Sequence, residues 1–182
     1  MAKLTIKGHP QLELNRVGFL RDGRVEAQCA LDSKGKDVPN GTIVGVVAHE
    51  RKVYPFGAVG DKPHTLGIVY TSERNLDLVA PGLKDFTNKD GDFVKVGLFA
   101  KGDTFTTNNL SWTDAFEGEE AALKALGEYA KTPVFVVPAE DGSFELKKEA
   151  TPDAELEGIV SRWYTMPNGQ PGAEITIVGG NL

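Results

Sequence analysis

The chain has 182 residues, with 20 basic against 26 acidic side chains, a formal net charge of −6, 21 glycines, 10 prolines and one cysteine. This length can build a core without disulfide staples, burying roughly 70% of the surface the unfolded chain exposes, and Cys29 has no internal partner to pair with. No apolar run approaches the ~20 residues needed to cross a bilayer, no apolar h-region follows Met1, and no dense basic run offers the phosphate-neutralising surface of a nucleic-acid binder; membrane association, export and direct nucleic-acid binding are therefore disfavoured.

Glycine and proline punctuate short apolar runs throughout, the texture of a mainly β protein with many turns. Residues 2–7 alternate, with Leu4 and Ile6 on one face and Lys3, Thr5 and Lys7 on the other. Residues 1–12 read as an N-terminal arm or edge strand, and residues 13–182 as one β-rich domain. Arg21-Asp22-Gly23-Arg24 predicts a hairpin turn into a strand that carries Cys29 as a buried thiol. Pro39-Asn40-Gly41 predicts a tight turn. Residues 42–48 are β-branched on both faces, which predicts the centre of a sheet. Residues 64–70 and 94–99 read as further strands, separated by a polar connection over 81–91. Lys101-Gly102-Asp103 reads as a turn into residues 104–107, with Asn108-Asn109 closing the hairpin.

The period then changes. Residues 114–130 predict the one helix, with Asp114 as N-cap and Glu117 completing a capping box. Phe116, Leu123, Leu126 and Ala130 form its apolar stripe, and Pro133 lies just beyond. Strands return at 134–137 and 144–147, and a last pair over 156–164 and 173–178 is joined by a proline-rich loop. Leu66-Gly67-Ile68-Val69 echoes Glu157-Gly158-Ile159-Val160, as related β units would. The expected fold is mainly β, an antiparallel β-barrel or sandwich with one packed helix near 114–130.

The search for chemistry returns little. His9, His49 and His64 hold no zinc spacing. The glycine pairs lack the lysine and hydroxyl of a phosphate loop, and no serine sits in a nucleophile elbow. Asp85, Asp90 and Asp92 superficially resemble a calcium loop, but the third, fifth and sixth positions carry the wrong residues. No catalytic residue, metal site or cofactor is expected. Among the aromatics, adjacent Trp163 and Tyr164 point to opposite faces of an ideal strand, so one of them is a candidate outward anchor. Leu4, Ile6, Trp112, Trp163 and Tyr164 are the candidate interface.

Val38-Pro39-Asn40-Gly41-Thr42-Ile43-Val44-Gly45, Leu66-Gly67-Ile68-Val69-Tyr70, the stretch from Val94 to Asn108, and the ending from Glu157 to Val178 resemble the strand entries and hairpins of tailed-phage capsid decoration, or cement, proteins. That resemblance implies a non-enzymatic β protein. It would be made in the host cytoplasm and mounted on the outer surface of the phage head, where it stabilises contacts between major capsid subunits. Its partners would be the major capsid protein, copies of itself, or both. The arm up to Pro10 would reach a neighbour, and its removal would leave the isolated fold intact. The rival readings are a carbohydrate-binding β module, a phage tail or head–tail joining protein, and a small enzyme with a spatially assembled site.

Overall fold

The computed structural model describes residues 1–6, 8–72, 86–113, 116–166 and 169–180. The chain starts in one sheet, leaves to build a second, and returns to finish the first. The opening part supplies β1 (Ala2–Lys3), β2 (Leu12–Arg16) and the short helix α1 (Gly18–Asp22). The middle supplies β3 (Val25–Glu26), β4 (Ala30–Leu31), β5 (Ile43–Val47), β6 (Lys52–Pro55), the one-turn helix α2 (Phe56–Val59), β7 (Thr65–Val69) and β8 (Val96–Leu98). The last part supplies β9 (Thr104–Thr107), β10 (Leu110–Trp112), helix α3 (Glu119–Gly127), β11 (Phe135–Pro138), β12 (Phe144–Lys147), β13 (Glu157–Thr165) and β14 (Pro171–Gly179).

The six-stranded sheet has the order β3-β8-β7-β5-β6-β4, and the eight-stranded sheet the order β1-β10-β12-β11-β13-β14-β9-β2. Most neighbours are antiparallel, but β10 with β12 and β4 with β6 run parallel. The larger sheet has open edges at β1 and β2. A flat sheet of this size would hold its edges about 34 Å apart, at ~4.8 Å per strand. The nine residue steps from Lys3 to Leu12 reach at most about 32 Å, so the sheet curls to let the N-terminal segment strap its two edges. Exposed edges are kept short or irregular: β1, β3 and β4 are two residues long, and β2 is bulged between Glu13 and Arg16. Such edges resist unwanted pairing with other chains.

As expected from its composition, β5 lies inside its sheet, between β7 and β6, and is buried along its length. Ile43, with Leu66 and Ile68 of β7, faces the larger sheet and joins Phe105, Leu110, Phe144 and Ile175 in the main core. Val44, Val46 and Val69 turn the other way into a second cluster with Cys29, Leu31, Val38, Val53, Val94 and Val96. Phe99, Phe105 and Phe144 carry ring contact across the sheets, with successive centroids 5.8 and 5.3 Å apart. The two echoing segments belong to different sheets, β7 to the smaller and β13 to the larger.

Three local expectations are corrected. Asp22-Gly23 does not make a hairpin: Gly23, at φ +70°, caps the C-terminus of α1, and its N–H bonds the Phe19 carbonyl. Lys101-Gly102-Asp103 turns the chain from one sheet into the other, since β8 and β9 belong to different sheets; Asn108-Asn109 likewise joins β9 and β10, which are not neighbours. The helix is shorter than expected. It begins at Glu119 behind Gly118, whose φ of +120° is outside any helical range. Glu117 therefore precedes the helix, and the proposed cap Asp114 lies outside the described residues. Ala122 and Leu126 pack into the main core with Leu123 beside them, while Ala130 is exposed beyond the helix end.

One carboxylate holds both crossings between the sheets. Asp103 is 3% exposed. It accepts bonds from the Gly18 N–H at 2.6 Å and the Ala100 N–H at 2.9 Å, and pairs with Arg24 at 3.3 Å. Arg24 also donates to the Leu98 carbonyl. The chain passes through this cluster on leaving the large sheet and again on returning to it.

Asp32, just after β4, accepts bonds from Lys34 and Lys52, each at 2.7 Å, and these hold its carboxyl down to about 2 from an ordinary 3.8. A depressed folded value stabilises the fold above the unfolded value and ceases to do so as pH falls through the folded one. In Asp32→Asn the melting temperature should fall below wild type above pH 4, and the two should converge toward pH 2. Both lysines are well exposed, so the separation is small. Thermal melts at half-unit pH steps check it.

Candidate interaction surface

The segment from Lys89 to Val94 returns beside β4: the Gly91 N–H bonds the Leu31 carbonyl and the Leu31 N–H bonds the Asp92 carbonyl, both at 2.8 Å. Strand parity then sorts the following residues. Val94 and Val96 enter the second core cluster, which forces Phe93 and Lys95 outward. Phe93 is 70% exposed and is the one exposed aromatic side chain among the described residues. Among the described residues, Leu20 on α1 and Met1 are the other exposed large apolar side chains. Phe93 is not one of the candidate interface residues; the alternation Phe93-Val94-Lys95-Val96 carries its signal, because Phe93 shares its face with a lysine.

The expected interface residues are distributed differently. Leu4 and Trp112 come together but inside the chain: β1 pairs with β10, placing Ala2 opposite Trp112, and the Leu4 N–H bonds the Leu110 carbonyl at 3.0 Å. They are 5% and 4% exposed and belong to the main core, with Ile6 half-buried against it. The strap is tied down at its other end too, where the Gln11 N–H bonds Asn108 Oδ1 at 2.7 Å. Midway, Thr5 donates from its N–H and its hydroxyl to the Glu119 carboxylate, at 2.9 and 2.7 Å. The Leu4/Ile6 face thus packs within its own subunit. Trp163 is half-buried and packs on the main core, and Tyr164 is half-buried with the Arg162 guanidinium 5.9 Å from its ring. Both lie where β13 has outrun β11: the latter pairs at Gly158 and Ile159, whereas β14 continues to Thr165.

Residues screened for chemistry serve local structure. Asp90 accepts from the Ser33 N–H at 2.7 Å and Asp92 from the Lys89 N–H at 2.6 Å; Asp85, the first residue of the calcium-like pattern, lies outside the described residues. His64 sits against the open face of Gly45, with Nδ1 2.7 Å from the Lys62 carbonyl and Nε2 3.0 Å from Glu155. Burial pushes the Cys29 thiol above its ordinary value and Glu26 adds to the shift, the reverse of what a nucleophilic thiolate needs.

No family model matches the chain, and no curated protein matches it.

Proposed function

We propose that this chain is a non-enzymatic structural protein of a tailed-phage particle, bound to the outside of the head and stabilising contacts between major capsid subunits. Exposed Phe93 carries the reading. Full burial of such a side chain is worth about 1.5–3 kcal/mol, and in the isolated chain Phe93 leaves that unrealised. Trp163 and Tyr164, half-buried on β13 of the larger sheet, are separate candidate contact residues. The segments that resemble decoration proteins supply β5, β7, β8, β9, β13 and β14, so the likeness falls on the ladders of both sheets. We read these as an open sandwich, a scaffold stiff enough to hold contact residues in place. Repeated over a shell, a modest contact gains from multivalency.

The reading is tested on an exposed residue, where a substitution leaves stability within about 0.5 kcal/mol. With particles stripped of this chain, Phe93→Ala should rebind roughly 30-fold more weakly than wild type, the effect of a ~2 kcal/mol hot spot, with an unchanged melt. Equal rebinding in a co-sedimentation titration would contradict it.

A further inference from the structure

Between the two sheets lies a cleft of about 500 Å³, within the ~300–1,000 Å³ range of ligand-binding clefts. Its walls come from four distant parts of the chain: His9 and Pro10 of the strap, the loop from Ser33 to Pro39, Gly57 and Ala58 of α2, and the turn at Glu140 and Asp141. They are tied across the sheets. The Gly57 N–H bonds the Glu140 carbonyl at 2.9 Å and the Ile43 N–H bonds the Gly142 carbonyl at 2.7 Å, while within the larger sheet Lys3 pairs with Asp141 at 2.7 Å. A cleft so braced is formed before any ligand arrives, which lowers the cost of binding.

Asn109, 5% exposed, lines this cleft. Its side-chain nitrogen donates to two backbone carbonyls, Gly41 at 3.1 Å and Gly142 at 3.4 Å. Both partners are acceptors, so the amide orientation is fixed by chemistry: nitrogen toward the carbonyls, oxygen away from them. Among the described residues Oδ1 accepts nothing. None of them holds a fully buried side-chain N or O atom without a partner, so Oδ1 keeps some exposure, and the cleft is an opening that Asn109 lines. The lining also presents Pro10, Pro39, Pro55 and Val38 and, among the described residues, no Phe, Tyr or Trp. A sugar would find none of the broad Trp, Tyr or Phe faces it stacks on best, whereas a polypeptide brings an N–H for Oδ1 and apolar side chains for the prolines.

We propose that this cleft binds an extended peptide segment of a partner protein, one backbone N–H donating to Asn109 Oδ1 and a neighbouring apolar side chain lying against Pro10 and Pro39. Lys36 and Glu140, neither in an ion pair among the described residues, add charge of both signs at the rim. The site shares no residue with Phe93 or β13, so it stands or falls apart from the head-binding reading.

A displayed library of random 12-residue peptides, selected on the full chain, supplies the probe. Ala58 is exposed and lines the cleft, so Ala58→Trp obstructs it without touching the core. Selected peptides should bind Ala58→Trp at least ten-fold more weakly, with the melt unchanged. In the wild-type chain they should shift the Asn109 side-chain amide signals in nitrogen-15 spectra. Failure to enrich any peptide, equal binding to Ala58→Trp, or unmoved Asn109 signals would each overturn the proposal.

Discussion

Phe19→Ala should destabilise the chain by about 3–5 kcal/mol, the cost of emptying a buried aromatic site, against a total of about 5–15 kcal/mol for an ordinary domain. Phe19 is fully buried, with its ring centroid 5.4 Å from that of Tyr70. It occupies the space left by the missing side chain of Gly97 in β8, where a Cβ would come within 2.4 Å of the ring carbons Cε2 and Cζ. This contact docks α1 on the smaller sheet while β2, just before α1, belongs to the larger one. Gly97→Ala should therefore be destabilising as well, by about 1–3 kcal/mol as an overpacked site. The double variant separates this account from two unrelated defects. With the ring gone the alanine methyl has room, so the combined loss should fall short of the sum by more than 1 kcal/mol in urea unfolding, as contacting sites do. Additive losses would mean that the ring and the glycine do not share that space.

Deleting residues 1–10 is the second large effect, and it reverses what the sequence suggests. An alternating stretch ending in Gly8-His9-Pro10 reads as a detachable arm. In the fold it buries Leu4, covers Trp112 through the β1–β10 pairing, and holds the first turn of α3 through Thr5 and Glu119. Loss of a buried leucine alone costs about 2–5 kcal/mol, which for a chain of this size lowers the melting temperature on the order of 10 °C. The truncated chain should melt that much lower and show increased tryptophan exposure by acrylamide quenching. A melt within 2 °C of wild type would show that the strap contributes little. Reduced capsid binding after truncation would report first on the fold, so Phe93 is the better probe of the interface.

What could be read in the sequence depended on how local the determining physics was. Residues 42–48 announce a doubly buried strand because β-branched side chains occupy both parities, and β5 is buried on both faces. The last hairpin is legible from alternation with one buried face, although residues 167 and 168 of its loop lie outside the described residues. Turn signals were legible as turns but not as destinations. Gly23 supplies a positive φ that suits a hairpin or a helix cap equally, and the choice was made by the distant pocket for Phe19. The Gly102-Asp103 turn carries nothing local about which sheet the next strand joins; Asp103 decides that through Gly18, Ala100 and Arg24. The capping box read from Asp114 and Glu117 gave way to Gly118, one residue whose backbone cannot continue a helix. An isolated strand gives no account of what covers it, so Leu4 and Trp112 read as candidate interface residues, whereas the fold buries both. Phe93 is marked locally only by its strand parity with Lys95. The cleft at Asn109 had no sequence signature, since its walls meet only after both sheets are built.

Cryo-microscopy of the intact particle puts the central claim to the hardest test. The proposed role requires density for this two-sheet fold on the outer shell in many symmetry-related copies, with Phe93 covered by a major capsid subunit or by another copy of the chain. A particle whose outer shell lacks that density, or one in which Phe93 faces solvent in every copy, would contradict it.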